Sequence, residues 1–388
     1  MPARLRPHAA PATLLSLAAA LALAVAGVLT LSGAKAASPQ PKCGDTIIAD
    51  TTLHHDLVNC PNNGIIIGAD DITLDLNGHT IDGDGTEAVG CNRRKEFCDE
   101  GLPNFGHDGV TVMHGSVRDF AVGPEVAKAR HVRLLDISST SHVFFGAVFF
   151  KSARSVIRNG SFSRNIPPEG DGIGVFSSDH IRILHNKIRH NAGPGIHVDH
   201  SNENLIKRNV FSRNSPGILM DGDRNEVRRN RCTRNDACVL VDGSRNVIAR
   251  NRIHKGGDGI AIENGHGTLV ARNDIVGPHK AGVYLAINSP PIGGRDNLIR
   301  RNFVRASGDD AFLVRREDRH SQLKRNVAVG AGDDGFDIQS RTAKLTRNRA
   351  VRNHDLGIEA VRGVIDGGGN IARHNGDARQ CTNIIVCG

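Results

Sequence analysis

The chain has 388 residues, a formal net charge of +8, eight cysteines, one tyrosine and no tryptophan. A moderately basic chain suits acidic glycans, whereas the scarcity of tyrosine and tryptophan argues against a nucleic-acid-binding protein that stacks bases on aromatic rings. The sequence also lacks nucleophilic-serine, phosphate-loop and zinc-protease motifs, so it gives no support to esterase, nucleotide or protease chemistry.

Residues 1–36 have the order of a secretory signal. Arg4 and Arg6 precede an apolar stretch at 12–31, and residues 34–36 (AKA) form a cleavage site. We expect cleavage after this site, which lowers the net charge from +8 to +5 because three basic residues are removed. An uncleaved membrane anchor is the alternative, since the stretch is long enough to span a bilayer. We predict a secreted, extracellular protein with no membrane contact after signal removal.

The cysteines of an exported chain are expected to form disulfides. Here they fall into four pairs of near neighbours, and we predict that each pair is bridged. The predicted bridges join Cys43 with Cys60, Cys91 with Cys98, Cys232 with Cys238, and Cys381 with Cys387. Metal ligation by thiolates is the alternative, but no C-x-x-C spacing occurs.

A basic residue followed by asparagine recurs through most of the chain. The asparagines of this repeat are Asn159, Asn186, Asn209, Asn230, Asn251, Asn273, Asn302, Asn326 and Asn348. They are 21 to 29 residues apart, and a period of this size is typical of a solenoid, in which successive coils stack on one another. An asparagine at a bend can hydrogen-bond to those above and below it, so we predict an asparagine ladder.

Apolar residues stand three positions before each of these asparagines and nine to ten positions after most of them. Apolar and polar residues alternate around the second position, which predicts short strands rather than helices with a period of 3.6 residues. Such strands cannot bury an apolar face alone, but coils stacked about 4.8 Å apart share one core. We therefore predict an all-β fold, a right-handed single-stranded parallel β-helix with coils of about 21–24 residues.

We predict a single domain over residues 37–388 and a monomeric protein. N-terminal coils are expected at 43–120, with a disulfide-bridged insertion near 88–106. Regular coils are expected at 131–365, followed by a cysteine-closed tail at 366–388.

Two N-terminal segments alternate like strands, with glycine at the bends: ITLDLNGHTIDG at 72–83 and GVTVMHGSVRDF at 109–120. They resemble the opening coils of pectate-lyase-like β-helix proteins, and the coils after them resemble the right-handed β-helix repeat family. The resemblance covers roughly residues 64–365. It implies the fold but no single activity, because this fold hosts lyases, epimerases, hydrolases and adhesins.

Two neighbouring coils carry the motif Gly-Asp-Asp. The chain reads SGDDAFL and then AGDDGFDI, which puts Asp309 and Asp333 24 residues, or one coil, apart. Asp334 follows the bend, and Asp337 returns to the same face. Four carboxylates over two coils repel one another without a cation. They also supply the oxygen ligands that Ca²⁺ prefers. We predict a Ca²⁺ site at these four aspartates.

These aspartates resemble the calcium site of family 9 pectate lyases, in which an Asp one coil earlier joins an Asp-Asp-Gly-x-Asp motif. The resemblance implies calcium-dependent β-elimination on an acidic polysaccharide. That family uses a lysine on the following coil as its base, whereas GIEAVRG at 357–363 offers Glu359 and Arg362. Arg315 and Tyr284 are the other candidates for the catalytic base and proton donor.

Three functions are compatible with the sequence. The first is action on an acidic extracellular polysaccharide or cell-wall glycan, as a calcium-dependent lyase. The second is a non-catalytic, cell-surface carbohydrate-binding or scaffold solenoid, which the missing lysine favours. The third is a glycoside hydrolase with Asp334 and Glu359 as its paired carboxylates. Residues 333–338 also resemble the first carboxylate motif of polygalacturonases, but the later motifs of that family are absent.

Structural explanations compete with these functional ones. Aspartate before glycine is common at bends, as at Asp171-Gly172 and Asp258-Gly259, so the Gly-Asp-Asp motifs need no cation to explain them. The arginines that precede the ladder asparagines suit either a polyanionic glycan or a solvated surface. The histidines between 185 and 200 fall on different sides of the coil, which favours surface histidines over a metal site.

Overall fold

The computed structural model describes residues 40–86, 98–286, 293–383 and 385–388. The predicted signal at 1–36 therefore lies outside the described residues. Residues 40–388 form one compact unit. In the described parts of the chain, no helix has the length and apolar character that crossing a membrane requires.

Each coil contains three short strands, and each strand pairs in parallel with its equivalents in the coils before and after it. The result is three stacks of strands, here called stacks A, B and C in the order in which the chain visits them. The predicted all-β parallel β-helix is confirmed, because every described pairing is parallel and the described residues contain only strands, bridges, turns and bends.

Each stack contains strands from successive coils. Stack A comprises Thr46–Ile47, Ile66–Ile67, Glu100–Phe105, Val122–Ala127, Phe145–Phe150, Asp171–Phe176, Ile196–Asp199, Ile218–Asp221, Val283–Ala286, Phe312–Val314, Phe336–Ile338 and Ile358–Ala360. Stack B comprises Thr51–Thr52, Thr73–Asp75, Val156–Arg158, Arg182–Leu184, Leu205–Lys207, Glu226–Arg228, Val247–Ala249, Leu269–Ala271, Leu298–Arg300, Gln322–Lys324, Lys344–Thr346 and Ile365–Asp366. Stack C comprises Leu57–Cys60, Thr80–Gly83, Ser161–Ser163, Lys187–Arg189, Val210–Ser212, Asp274–Val276, Phe303–Arg305, Val327–Val329, Arg349–Val351 and Ile371–Arg373.

Four longer strands turn a corner and belong to two stacks. Thr111–Arg118 and Arg133–Thr140 pair in both stack B and stack C. Arg231–Asp242 and Arg252–Glu263 pair in both stack C and stack A.

The inward side chains of the three stacks form one continuous apolar core. Along stack A, Ile260, Val283, Phe312, Phe336 and Ile358 stack on one another, and none is more than 1% exposed. The rings of Phe312 and Phe336 stack with their centroids 4.7 Å apart. The alternation read from the sequence therefore places the apolar residues inside, as predicted.

An asparagine ladder runs along the corner between stacks B and C, as predicted. In it, each side-chain amide donates to Oδ1 of the asparagine one coil further on, at 3.0 to 3.2 Å. The ladder consists of Asn186, Asn209, Asn230, Asn251, Asn273, Asn302, Asn326, Asn348 and Asn370. Because a buried amide without partners is destabilising, this ladder fixes the stacking register of the coils.

The prediction is wrong for Asn159. This residue is exposed and has a left-handed backbone, with φ of 60°. Gly160 takes the ladder position instead and donates its N–H to Asn186 Oδ1 at 2.7 Å. The basic–asparagine dipeptide is thus out of step by one residue in that coil.

Two further corners also carry stacked asparagines, which the sequence analysis did not predict. At the corner between stacks C and A, Asn165, Asn191, Asn214 and Asn235 bond side chain to side chain at 3.0 to 3.1 Å. At the corner between stacks A and B, the N–H groups of Asn204 and Asn225 donate to the asparagine one coil on. All three corners are therefore tied by buried amides.

Three of the predicted disulfides are present: Cys43 with Cys60, Cys232 with Cys238, and Cys381 with Cys387. The fourth predicted pair includes Cys91, which lies outside the described residues.

The coils extend past two of the predicted boundaries. Glu100–Phe105, expected within the insertion, is a strand of stack A. Its sequence, EGLPNF, contains glycine and proline and lacks the alternation that marks the other strands. Ile371–Arg373, expected within the tail, is a strand of stack C. Gly369 rather than a basic residue precedes its ladder asparagine, so the dipeptide signal is missing there.

The ladder predicts a large effect for Asn273→Ala. Asn273 accepts from the backbone and side chain of Asn251 and donates to Asn302 and to the Ile248 carbonyl. The substitution leaves buried groups without partners, so we expect the free energy of unfolding to fall by about 2 to 4 kcal/mol in urea titrations. The control Asn62→Ala removes an exposed asparagine and should change it by less than about 0.5 kcal/mol. Equal effects of the two substitutions would contradict this account of the ladder.

Candidate functional site

A groove of about 370 Å³ lies on the outer face of stack A near its C-terminal end. It contains three of the four predicted calcium ligands and two of the predicted catalytic residues. The groove is lined by Asp258, Lys280, Ala281, Tyr284, Asp309, Asp310, Leu313, Arg315, Asp333 and Asp337. Side chains from four successive coils therefore meet in one concave site.

The parallel register explains how the groove is assembled. Tyr284 pairs with Leu313 one coil on, Leu313 pairs with Asp337, and Asp337 pairs with Glu359. The same offset places Asp309 one coil before Asp333, about 4.8 Å away along the stack. Both of these aspartates are exposed.

The second aspartate of each Gly-Asp-Asp motif is buried and holds a bend. Asp310 Oδ1 accepts from the N–H of Asp334 at 3.0 Å, and Asp334 Oδ1 accepts from the N–H of Leu356 at 2.7 Å. A Cβ at the next residue, Gly335, would lie 2.5 Å from the Gly357 carbonyl oxygen, so only glycine fits there. One oxygen of each carboxyl group therefore has a structural role, because it accepts a backbone hydrogen bond at the bend.

Burial and mutual repulsion make these two carboxyl groups weak acids. Burial raises the pKa of Asp310 to about 7, and the neighbouring charges of Asp337, Asp333 and Asp309 add to the rise. Burial likewise raises the pKa of Asp334 to about 8, with contributions from Asp310, from Asp333 and from a hydrogen bond to Glu359. Near neutral pH these coils therefore hold protons that ordinary aspartates have lost.

Asp333, Asp334 and Asp355 form a group of potential metal ligands. One carboxylate oxygen from each lies within 4.8 Å of the other two, so the group could hold a metal ion. Asp309 and Asp337, which the sequence placed in the same site, are not members of this group. They contribute to the adjoining groove instead.

Cationic side chains line the groove beside the carboxylates. Arg315 lies 5.8 Å from the ring centroid of Tyr284, and a hydrogen bond between them raises the pKa of Arg315. Lys280 is exposed in the coil before Asp309. Asp337 accepts a hydrogen bond from Gln339 at 2.6 Å, and Arg315 lowers its pKa, although burial raises the pKa overall.

The last two predicted catalytic residues lie at the rim or beyond it. Glu359 is exposed on the outer face of stack A and contacts Asp334 through the hydrogen bond between their carboxyl groups. Arg362 is exposed in the turn after strand Ile358–Ala360 and does not line the groove.

Four residues of the site were missed in the sequence: Asp258, Lys280, Asp310 and Asp355. Aligning the coils on their apolar positions would have found Lys280, because KAGV at 280–283 occupies the same place as DDAF at 309–312. The same alignment puts Asp355 one coil after Asp333. Neither residue lies in the repeated Gly-Asp-Asp motif, which is the signal that marks the site in the sequence.

A row of acidic side chains runs along the stack A face before the groove. Asp199, Asp221, Asp242 and Glu263 follow one another on successive coils. Burial, Asp242 and Asp199 raise the pKa of Asp221. Asp199, His200 and Asp221 form a second group of potential metal ligands.

An aromatic cluster precedes this acidic row. The Phe145 and Phe176 rings meet edge to face at 5.3 Å, and Phe176 meets His197 at 5.1 Å. His197 Nδ1 lies 3.0 Å from Oδ2 of the buried Asp171, which fixes the imidazole in place.

The raised pKa values predict a pH-dependent stability without divalent cations. A carboxyl group whose pKa is higher in the folded chain stabilises it below the ordinary value of 3.8 and loses that effect as pH rises through about 7 to 8. In EDTA, the melting temperature should therefore fall between about pH 5 and pH 8.5. Asp334→Asn keeps the bond from Leu356 but cannot ionise, so at pH 8.5 it should melt about 3 °C higher than the wild type.

The matched control is Asp274→Asn, an exposed aspartate of stack C, which should leave the melting curve unchanged. If Asp334→Asn lowers the melting temperature equally at pH 5 and pH 8.5, the carboxyl group is not protonated as described.

Comparison with known proteins identifies the fold family. The family described as "Right handed beta helix region" matches residues 108–231, 146–293 and 237–377, which together cover more than half of the chain. No curated protein matches the chain in sequence.

Solved structures match the chain at low sequence identity. Pre-mature gene product 12 of bacteriophage phi29 matches with a TM-score of 0.52 at 9% identity, over 87% of this chain and 51% of that protein. The A-module of the mannuronan C-5 epimerase AlgE6 of Azotobacter vinelandii gives 0.35 at 13% identity, over 83% and 80% of the two chains. PfbA, a surface adhesin of Streptococcus pneumoniae, gives 0.42 at 14%, over 86% and 80%.

The phage protein supports the fold alone, and the chain spans about half of its length. Together with the family match over residues 108–377, the parallel coils show that this chain belongs to the right-handed β-helix family.

Proposed function

We propose that this protein is exported and acts on a polysaccharide that lies along the outer face of stack A, with the groove as its reaction site. The observation that carries the proposal is the combination of carboxylates with Lys280, Tyr284 and Arg315 in one groove. A concave site with convergent polar groups and perturbed carboxyl pKa values is the usual form of an active site. The disulfides support export, because such bridges persist in oxidising compartments.

The leading reaction is calcium-dependent β-elimination on an acidic polysaccharide. Asp333, Asp334 and Asp355 fit Ca²⁺, because they supply oxygen donors close together. An ionised carboxylate has about four acceptor sites, so the bond from Leu356 to Asp334 leaves lone pairs for a cation. When bound, Ca²⁺ neutralises the charge of a uronate carboxylate beside the reacting carbon.

Lys280, Tyr284 and Arg315 would carry out the proton transfers and the charge pairing that the elimination requires. In the elimination, a base removes the proton on C5 of the uronate, the C4–O bond breaks, and a C4=C5 double bond forms as the leaving oxygen takes up a proton. Lys280 and Tyr284 are the two groove residues other than carboxyl groups that can exchange these protons. Arg315 holds Tyr284 through their hydrogen bond and offers positive charge to the substrate carboxylate.

The aromatic cluster supports an extended binding face. Phe145, Phe176 and His197 stand on the same face as the groove, several coils earlier. Aromatic rings supply contact area with little loss of conformational freedom. This cluster is therefore well placed to bind sugar units of the polysaccharide that lie several coils away from the groove.

Glycoside hydrolysis is the second candidate, and one observation favours it. Asp334, with a pKa of about 8, is hydrogen-bonded to Glu359. A carboxyl group that keeps its proton near neutral pH can donate that proton to a glycosidic oxygen. Hydrolysis yields a new reducing end without a double bond, so the products separate the two reactions.

Calcium binding is tested by the change in melting temperature on adding CaCl₂. A ligand that binds only the folded chain stabilises it by mass action, so we expect a rise in the wild type and a much smaller rise in Asp355→Asn. Asp274→Asn, an exposed aspartate of stack C, should respond like the wild type. No rise in the wild type at millimolar calcium would contradict the calcium site.

Catalysis is tested with a panel of uronate-containing polymers and neutral glucans, in calcium and in EDTA. We expect ultraviolet-absorbing unsaturated products from a uronate polymer in calcium only. Lys280→Met and Tyr284→Phe should each reduce turnover by about 100-fold, the usual contribution of a general acid or base. The control Lys344→Met removes an exposed lysine of stack B and should not change turnover.

Each other outcome of the panel has a definite meaning. New reducing ends without unsaturated product, unaffected by EDTA, would replace elimination by hydrolysis. Binding of a polymer without any product would replace both by a non-catalytic carbohydrate-binding solenoid.

A further inference from the structure

A continuous row of arginines runs along the corner between stacks B and C, one residue before the asparagine ladder. All seven of its side chains are exposed, and we call this row the basic ridge. It consists of Arg208, Arg229, Arg250, Arg272, Arg301, Arg325 and Arg347. The chain order places stack A, with its groove, between the other two corners, so the ridge lies on the opposite side of the coil from the groove.

The backbone of the ridge fixes its regular spacing. Each arginine has a left-handed conformation, with φ between 54° and 59°. Each backbone N–H donates to a carbonyl of the next coil at 3.0 to 3.2 Å. The seven Cα positions therefore repeat with the coil spacing of about 4.8 Å, over a length of about 29 Å.

The positive charge of the ridge is not compensated by its surroundings. In the described part of the chain, no carboxylate forms an ion pair with any of the seven arginines. Further cations flank the row: Lys207, Arg228, Arg300 and Lys324 one position before it, and Arg231, Arg252 and Arg349 two positions after it. The adjacent acids include Asp274, Glu226 and Asp366; Glu226 already pairs with Arg228 at 2.7 Å, and Asp366 accepts from the side chain of Asn370 at 2.9 Å.

The effect of this charge reaches the neighbouring histidine. His185 continues the row at its N-terminal end and has the same left-handed backbone. Burial lowers its pKa, and the charges of Arg208, Arg158 and Lys207 lower it further. Like charges on successive coils repel one another, and this repulsion destabilises the folded chain along the ridge.

We infer that the basic ridge binds a linear acidic polysaccharide, lying parallel to the solenoid axis. Guanidinium groups pair with carboxylates through two parallel hydrogen bonds, and a row with one such group per coil matches a polymer that repeats its charge at short intervals. Nucleic acid is the less suitable polyanion, because the chain has no tryptophan and its one tyrosine lies in the groove. Binding at the ridge would hold the protein on the polysaccharide and leave the groove on the opposite side open to a substrate.

The experiment compares two variants that lose the same charge. The ridge variant carries Arg250→Gln, Arg272→Gln and Arg301→Gln, and glutamine keeps an unbranched side chain at each left-handed position. The control variant carries Arg130→Gln, Arg133→Gln and Arg154→Gln, three exposed arginines outside the ridge. Binding of size-fractionated polygalacturonate is measured in EDTA, so that the proposed calcium site makes no contribution, and melting temperatures confirm that both variants are folded.

We expect the Kd for polygalacturonate to rise about tenfold in the ridge variant and to stay within about twofold of the wild type in the control. Wild-type binding should weaken as sodium chloride is raised toward 1 M, where the screening length is about 3 Å. If the triple ridge variant does not fold, Arg272→Gln alone should give a smaller rise in the same direction.

Three results would overturn the inference: equal losses in both triple variants, no loss in the ridge variant, or tighter binding of single-stranded DNA than of polygalacturonate. The inference is independent of the proposed function, since loss of turnover at the groove leaves this binding in EDTA unchanged.

Discussion

Parallel hydrogen bonding between successive coils is the interaction on which the rest of this structure depends. It places residues that are 21 to 29 positions apart in the sequence directly above one another, at a spacing of about 4.8 Å. Like residues therefore stack on like residues. For apolar side chains this builds a continuous core, as in Phe312 on Phe336. For asparagine it satisfies the amides of the ladder, because each side chain between the two ends both donates and accepts.

Stacking has the opposite effect on ionised side chains, which repel one another at the same spacing. In two such arrays the repulsion is relieved differently. At the groove and beside it, burial raises the pKa of Asp310 and of Asp334, so these groups retain protons near neutral pH. Along the basic ridge, arginine cannot lose its proton, so only counter-ions or a bound polyanion can reduce the repulsion. At both the acidic groove and the basic ridge, a bound ligand of opposite charge would reduce the repulsion between stacked side chains.

The sequence predicted the fold well because the stacking register of the coils appears in it directly, as a regular spacing of asparagines and apolar residues. The ladder asparagines and the apolar positions follow from that period, and three disulfides follow from the short spacing between the paired cysteines. The errors arise where the local signal departs from the repeat, as at Asn159, whose coil is shifted by one residue, and at Gly369, which replaces a basic residue. The site was less predictable. Asp309, Asp333, Asp334 and Asp337 were found from a repeated motif, but Lys280 and Asp355 contribute through register alone, with no motif around them. Burial, which separates Asp310 and Asp334 from their exposed neighbours Asp309 and Asp333, is a property of the fold that the motif does not show.

We propose that the stacked carboxyl groups form one site in which a divalent cation replaces protons. The most direct measurement is calorimetric titration of CaCl₂ at pH 7 in two buffers that differ in ionisation enthalpy, which gives the number of protons released per calcium ion bound. Because the pKa of Asp334, one of the three grouped ligands, is raised to about 8, we expect release of about one proton per ion in the wild type and close to none in Asp334→Asn. Binding heats that are identical in the two buffers would show that the carboxyl groups are already ionised, and would contradict the account.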